Sequence, residues 1–188
     1  MVYSYKLVSV LMLALIGLTL LVTLSPFGAD HKTVAPLSDL PDAFMENVTV
    51  LIFDKQGKPK MKIAAPKMVH YTNNDTTQLN VPTITLYRQS PQPWYITSHY
   101  AEAKHGADQV DFRDNVVVQH AADINAPATI IKTETLTILP NIEIAETQDA
   151  ITMTQPNIVI HGIGMRANIQ SGDIQLLSQA RGEYVPSF

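Results

Sequence analysis

One strand pattern recurs three times between His99 and Tyr184 at a spacing of 32 residues, and this recurrence limits what the chain can fold into more than any other feature. Val110 and Phe112 stand 32 residues before Ile142 and Ile144, which stand 32 before Ile174 and Leu176. Ala103, Thr135 and Ala167 keep the same interval upstream. A fixed period of this length marks stacked supersecondary units, each of which buries its apolar face only against its neighbours. Within a unit, apolar and polar residues alternate, break, and alternate again, as in Val110-Asp111-Phe112-Arg113 followed by Val116-Val117-Val118. Alternation at period two puts one row of side chains inside and the next outside. The pattern predicts an elongated β-structure with a long apolar inner face.

The same pattern extends towards the N-terminus in degraded form, giving about four units in all. Leu79, Val81, Ile84 and Leu86 are two alternating pairs broken at Pro82-Thr83, and further upstream Val48, Val50 and Ile52 alternate. Asp54-Lys55-Gln56-Gly57 supplies a turn, with Met61 and Ile63 on the return strand. Pro66 has no N–H to give a ladder and predicts an edge or bulge there. Asn73-Asn74-Asp75, Gly106, Asp123 to Pro127, Pro140-Asn141, Gln155-Pro156 and Ser171-Gly172 punctuate the rest at short intervals. β-branched runs such as Thr129-Ile130-Ile131 and Ile158-Val159-Ile160 favour strands, and no helical stripe of ten or more residues follows Pro41. The fold class is all-β.

Ahead of this region, Leu7 to Leu24 is an 18-residue stretch whose only polar members are Ser9, Thr19 and Thr23. As a helix it reaches roughly 27 Å, against about 30 Å for a bilayer's hydrocarbon core. A cleaved signal peptide is the rival reading. Its apolar core is usually shorter and its cleavage site needs small residues, whereas cutting after Ala29 puts Phe27 at −3. The expected organisation is a cytoplasmic N-terminus at 1–6, a transmembrane helix at 7–24, a linker at 25–46 and a β domain at 47–188. Lys6 on the inner side places the domain outside the cytoplasm.

Composition removes several function classes. The chain has no cysteine, hence no disulfide, thiolate nucleophile or cysteine-bound metal. A net charge of −4 gives no basic footprint for nucleic acid. The six histidines, His31, His70, His99, His105, His120 and His161, show no zinc-type spacing; His99 and His105 read as a solvated strand face and its turn. Asp108, Asp111 and Asp114 are the one dense carboxylate group. A polysaccharide-cleaving β-solenoid needs two carboxyls held about 5–9.5 Å apart across a sugar, and no such partner is evident. Gly162-Ile163-Gly164 lacks a strand-to-helix context and reads as a strand bend. Trp94, after the Pro-rich loop, reads as a packing anchor. No catalytic residue, metal or cofactor is expected.

Several local matches together carry a resemblance. They are the Val50-Leu51-Ile52-Phe53-Asp54-Lys55-Gln56-Gly57 hairpin and the Leu79 to Leu86 stretch around Pro82-Thr83. They continue with Trp94 ahead of Ser98-His99-Tyr100-Ala101-Glu102-Ala103-Lys104, and end with Gly162-Ile163-Gly164-Met165-Arg166-Ala167-Asn168. With one N-terminal transmembrane helix, a tether and a cysteine-free repeat domain, the chain resembles the LptC family of lipopolysaccharide export proteins. That resemblance implies an open, twisted, boat-like antiparallel β-jellyroll in a single-pass inner-membrane protein with its domain in the periplasm. It implies receipt of lipopolysaccharide from the LptB–LptF–LptG transporter, with LptF and LptG meeting the helix and the N-terminal side. It also implies delivery to LptA at the C-terminal edge.

On this reading the inner rows Val48, Val50, Leu79, Val81, Ile84, Leu86, Val110, Phe112, Val116, Val118, Ile142, Ile144, Met153 and Met165 face the lipid. Aliphatic residues with few aromatics leave width for acyl chains, and Met adapts to irregular ones. Edge strands template added strands. Val48, Val50 and Ile52 mark the upstream edge, and Ile174, Leu176 and Tyr184 the downstream one. A membrane-tethered β scaffold without cargo and a β-solenoid hydrolase remain the alternatives.

Overall fold

The computed structural model of the chain describes residues 40–88, 91–124 and 126–184. The chain divides into two units, Met1–Leu37 and Ser38–Phe188, and every described residue belongs to the second. The expected spanning segment at 7–24 and the linker as far as residue 39 lie outside the described residues. Among the described residues no helix is long and apolar enough to cross a membrane.

Among the described residues eleven strands form one antiparallel sheet: β1 (Ala43–Phe53), β2 (Pro59–Tyr71), β3 (Thr76–Asn80), β4 (Thr83–Leu86), β5 (Trp94–Thr97), β6 (Tyr100–Lys104), β7 (Gln109–His120), β8 (Thr129–Leu139), β9 (Ile144–Gln155), β10 (Ile158–Asn168) and β11 (Ile174–Tyr184). β3 and β4 are two halves of one long strand, and so are β5 and β6. Thr76↔Lys104 in one half and Thr83↔Thr97 in the other keep a single register across the break. With those halves joined, the strands follow one another in chain order, each paired to the next. The Asp54 turn behaves as its residues dictate: the Asp54 carboxylate accepts from the N–H groups of Gln56 and Lys58, and Gly57 sits at φ +78. Pairing begins earlier than alternation predicts, because Ala43–Glu46 already lie opposite Lys67–His70. Asn47 at φ +50 interrupts the two-residue period between these residues and Val48, so a stretch that reads as linker is strand.

Nearly every long strand bends near its middle, and the bends line up across the sheet. The Val81 N–H donates to the His99 carbonyl at 2.8 Å, and the His99 N–H donates to the Asp114 carbonyl at 2.9 Å. Val81, Asp114, Asn115, Gly164 and Gln179 all have positive φ, and β7, β8, β9, β10 and β11 shift register near these points. Such bulges bend a strand and sharpen its twist. The result is two facing half-sheets, and one core packs Ile84, Ile96, Val118 and Ile131 from one half with Leu79, Phe112, Leu136 and Met165 from the other. The 32-residue period is thereby explained: it is one hairpin, and Phe112, Ile144 and Leu176 fall on alternate strands, β7, β9 and β11.

Two expected inner residues do not face inward. Val81 is 57% exposed, because its φ of +46 at the bend turns its side chain off the inner row. Ile142 is 60% exposed. The β8–β9 turn runs through Glu143 at φ +57 and β9 begins only at Ile144, which leaves Ile142 in the turn.

Candidate functional site: an apolar cavity between the half-sheets

Where the half-sheets fail to close on each other they leave a cavity of about 80 Å³. Leu86, Trp94, Ile96, Val118 and Ile131 line one wall, and Leu136, Ile138, Ala145, Met165, Ala167 and Ile174 line the other. These positions follow from the pairing. Ile96↔Val118↔Ile131 is one cross-strand row, and Ile138↔Ala145↔Ala167↔Ile174 is another. Small residues at Ala145 and Ala167 recede in the second row, so the wall is concave there. The β10–β11 turn caps this end with Asn168, Ile169 and Gly172. It is pinned by the Ile169 N–H donating to the Glu143 carbonyl at 2.7 Å and by the Asn168 side chain accepting from the N–H groups of Gln170 and Ser171. Arg88 is the charged residue in the lining.

Of the expected inner row, Leu86, Val118 and Met165 line the cavity. Leu79, Ile84, Phe112, Val116 and Met153 are buried in the surrounding core, and Val48, Val50 and Val110 pack against it. Phe112 and Val116 are 1% and 0% exposed and are not part of the lining. Ile144 is half-buried at the start of β9. Sequence reading missed Ile96, Ile131, Leu136, Ile138 and Arg88 as lining residues. The alternation Ile131, Thr133 and Ile138 around a bulge carries a partial signal for them. Arg88 carries one too, as the second residue after Leu86 in the Ile84, Leu86 row.

Polar clusters elsewhere have structural roles. Asp111 accepts hydrogen bonds from Lys104 at 2.9 Å, Gln109 at 2.9 Å and Thr137 at 2.8 Å. Burial pushes its carboxyl up, but the bonds from Lys104, Gln109 and Thr137 outweigh that and hold it below the usual carboxylate range. Lys104 also pairs with Glu102 at 3.4 Å, which relieves the like charges that the register places opposite each other at Glu102↔Asp111. The Tyr100 phenol, which donates to Glu102, is pushed up to about 12 by burial and by the Glu102 charge. Asp108 accepts from Asn141 at 2.8 Å, and Asp114 belongs to the bend. The three aspartates thus serve the ladder and its turns. His99 and His105 are exposed, and among the described residues no group of three or more potential ligands could hold a metal.

Among the described residues the sheet ends in two strands that pair on one side: β1 with β2, and β11 with β10. Val48 and Val50 turn into the core, while Phe44, Leu51 and Phe53 are exposed on β1. Ile174 and Leu176 pack against the core, and Leu177 to Tyr184 are exposed.

No curated protein sequence matches this chain. Residues 9–185 match the model of a family described as "Lipopolysaccharide-assembly, LptC-related". Among solved structures the chain is similar to LptH from Pseudomonas aeruginosa, described as the LptA-homologous periplasmic component of the conserved lipopolysaccharide transport device. The TM-score is 0.54 at 8% identity, over 67% of this chain and 95% of that one. At that identity the similarity concerns the fold: an all-β, antiparallel, jellyroll-like sheet.

Proposed function

The chain belongs to the LptC-related family of lipopolysaccharide assembly, and from that premise we propose that it is a single-pass inner-membrane protein whose periplasmic β domain carries lipopolysaccharide. It receives the lipid from an LptB–LptF–LptG transporter and passes it to an LptA-type bridge. The observation that carries this reading is the apolar cavity between the half-sheets. Aliphatic walls from both halves, with space left between them, suit an acyl chain. Its burial contributes about 0.8 kcal/mol per methylene without any directional contact. The free edges of β1 and β11 support the second half of the proposal, since unpaired backbone groups accept a further strand from a neighbouring domain. LptF or LptG would meet β1 and LptA would meet β11.

A photo-crosslinking residue placed at Ile138, Leu86 or Ile174 in living cells tests the cargo. Capture of lipopolysaccharide at these sites, and none at the exposed outward position Arg113, is the expected result. Capture at Arg113 alone would overturn the cavity assignment. Partner capture at the edges with no lipid anywhere would leave the chain a scaffold without cargo.

A further inference from the structure

We propose that Arg88 receives the anionic headgroup group, phosphate or carboxylate, of the amphiphile whose chain occupies the cavity. This inference rests on the carrier reading and adds a polar anchor to a site that is otherwise apolar.

The argument begins with register. Leu86 closes β4, and the Tyr87 N–H still donates to the Lys60 carbonyl at 3.0 Å, so the strand's geometry continues past its formal end. Residues alternate faces along that path: Leu86 lines the cavity, Tyr87 is exposed, and Arg88 lines the cavity again. A guanidinium therefore stands where the pattern calls for an aliphatic residue. An unpaired charge on an apolar wall is unfavourable, because burial strips water from it. Burial indeed pulls the Arg88 pKa down, and the attraction of Glu143 works against that. Glu143 does not neutralise it. The ion pairs among the described residues join Lys104 to Glu102 and Asp111, and His120 to Asp123. Arg88 is in none of them.

The polar side chain that shares the lining with Arg88 is already engaged. The Asn168 side-chain oxygen, in the same lining, is occupied by the N–H groups of Gln170 and Ser171. The Asp173 carboxylate accepts from the Ser171 hydroxyl at 2.6 Å. The planar fork of an arginine suits a two-oxygen acceptor such as phosphate or carboxylate. A lipid that lays its chain along Ile96, Val118 and Ile138 and presents such a group at the mouth would satisfy both requirements at once. Glu143 then acts as a weak counter-charge that the headgroup displaces.

The test uses the full chain in an uncharged detergent and two pairs of fluorescent probes. One pair is phosphorylated lipid A and the same lipid with its phosphates removed; the other is a fatty acid and its methyl ester. For the unaltered protein, the charged member of at least one pair should bind about tenfold or more tightly than its neutral counterpart, and which pair responds identifies the headgroup. Arg88→Gln should abolish that preference while leaving the neutral probe's affinity unchanged. Arg88→Lys should retain part of it, and Glu143→Gln should increase it. A preference that survives in Arg88→Gln would overturn the proposal. So would equal weakening of charged and neutral probes, since that is what a merely structural arginine would produce. Failure of all four probes to bind the unaltered protein would sink the carrier reading itself, a result distinct from either of these. Circular dichroism of Arg88→Gln, with Arg88→Lys as the conservative control, separates loss of the contact from loss of the fold.

Discussion

The His120 imidazole stacks on the Trp94 indole, with ring centroids 4.6 Å apart and planes 27° from parallel. The two residues are directly opposite on β7 and β5. Trp94 lines the cavity, so His120 backs its wall, and the Nε2 of His120 lies 3.3 Å from the Asp123 carboxylate. The interaction is almost fully removed from solvent, with 1% and 3% of the two side chains exposed. His120→Ala should therefore lower stability by more than about 1 kcal/mol, from the lost ring contact and the lost contact with the Asp123 carboxylate. Because Trp94 is the single tryptophan, its emission should shift to longer wavelength in the same variant. An unchanged spectrum would mean that His120 does not hold the indole in place.

Asp111 predicts an acid dependence of stability. Its carboxyl is held below the ordinary carboxylate range in the folded chain, so its ionised form is favoured by folding. A group with a depressed folded pKa contributes fully above its unfolded pKa of about 3.9 and loses that contribution as pH falls through the folded value. Asp111→Asn should cost about 1–2 kcal/mol at pH 7, and the gap to the unaltered protein should narrow below about pH 4. Urea midpoints at pH 7 and pH 3 measure it. A gap of equal size at both values would show that the hydrogen bonds, and not the charge, carry the effect.

Much of the sheet is readable from residues whose neighbours in sequence are also their neighbours in space. Val110, Phe112, Val116 and Val118 lie inward as their alternation predicts, because the whole of β7 pairs with strands close in the chain. Val81 fails because alternation fixes a face only while φ stays extended, and nothing in Leu79-Asn80-Val81-Pro82 shows which residue takes the bend. The cavity is harder still. Its walls bring Leu86 and Ile96 against Met165 and Ile174, and no local pattern encodes where two half-sheets leave space. Arg88 escapes notice for a related reason: a charge after Leu86 reads as the start of a loop, while the Tyr87–Lys60 bond carries the strand one turn of the pleat further.

Gly164 is a bend residue whose substitution should be felt on β11. It sits at φ +71, and a Cβ there would come within 2.9 Å of the Leu177 side chain. Gly164→Ala combines an unfavourable backbone region with a steric conflict, and should destabilise by more than about 1 kcal/mol. Leu177 belongs to the free strand β11, so the substitution should also raise amide exchange across Ile174–Tyr184. Hydrogen exchange by mass spectrometry reads this directly. Protection unchanged in β11 would show that Leu177 simply moves aside.

The two ends of β11 do different work, and truncation separates them. Ile174 and Leu176 pack against the core, whereas every residue from Leu177 to Tyr184 is exposed. Ending the chain after Ser178 removes residues 179–188, and with them the part of β11 that pairs with Ile158–His161 on β10. The loss uncovers part of β10 but leaves the cavity walls and their core contacts in place, so the domain should remain folded, with stability reduced by about 1–2 kcal/mol. Lipid capture at Ile138 should persist, because Ile138 sits on β8 and its cross-strand neighbours, Val110 and Ala145, are untouched. Co-purification with an LptA-type protein should fall sharply, since the shortened edge offers fewer backbone groups to a joining strand. Retention of that partner at full strength would place the joining surface elsewhere, and the exposed Phe44, Leu51 and Phe53 of β1 would then be the next surface to alter.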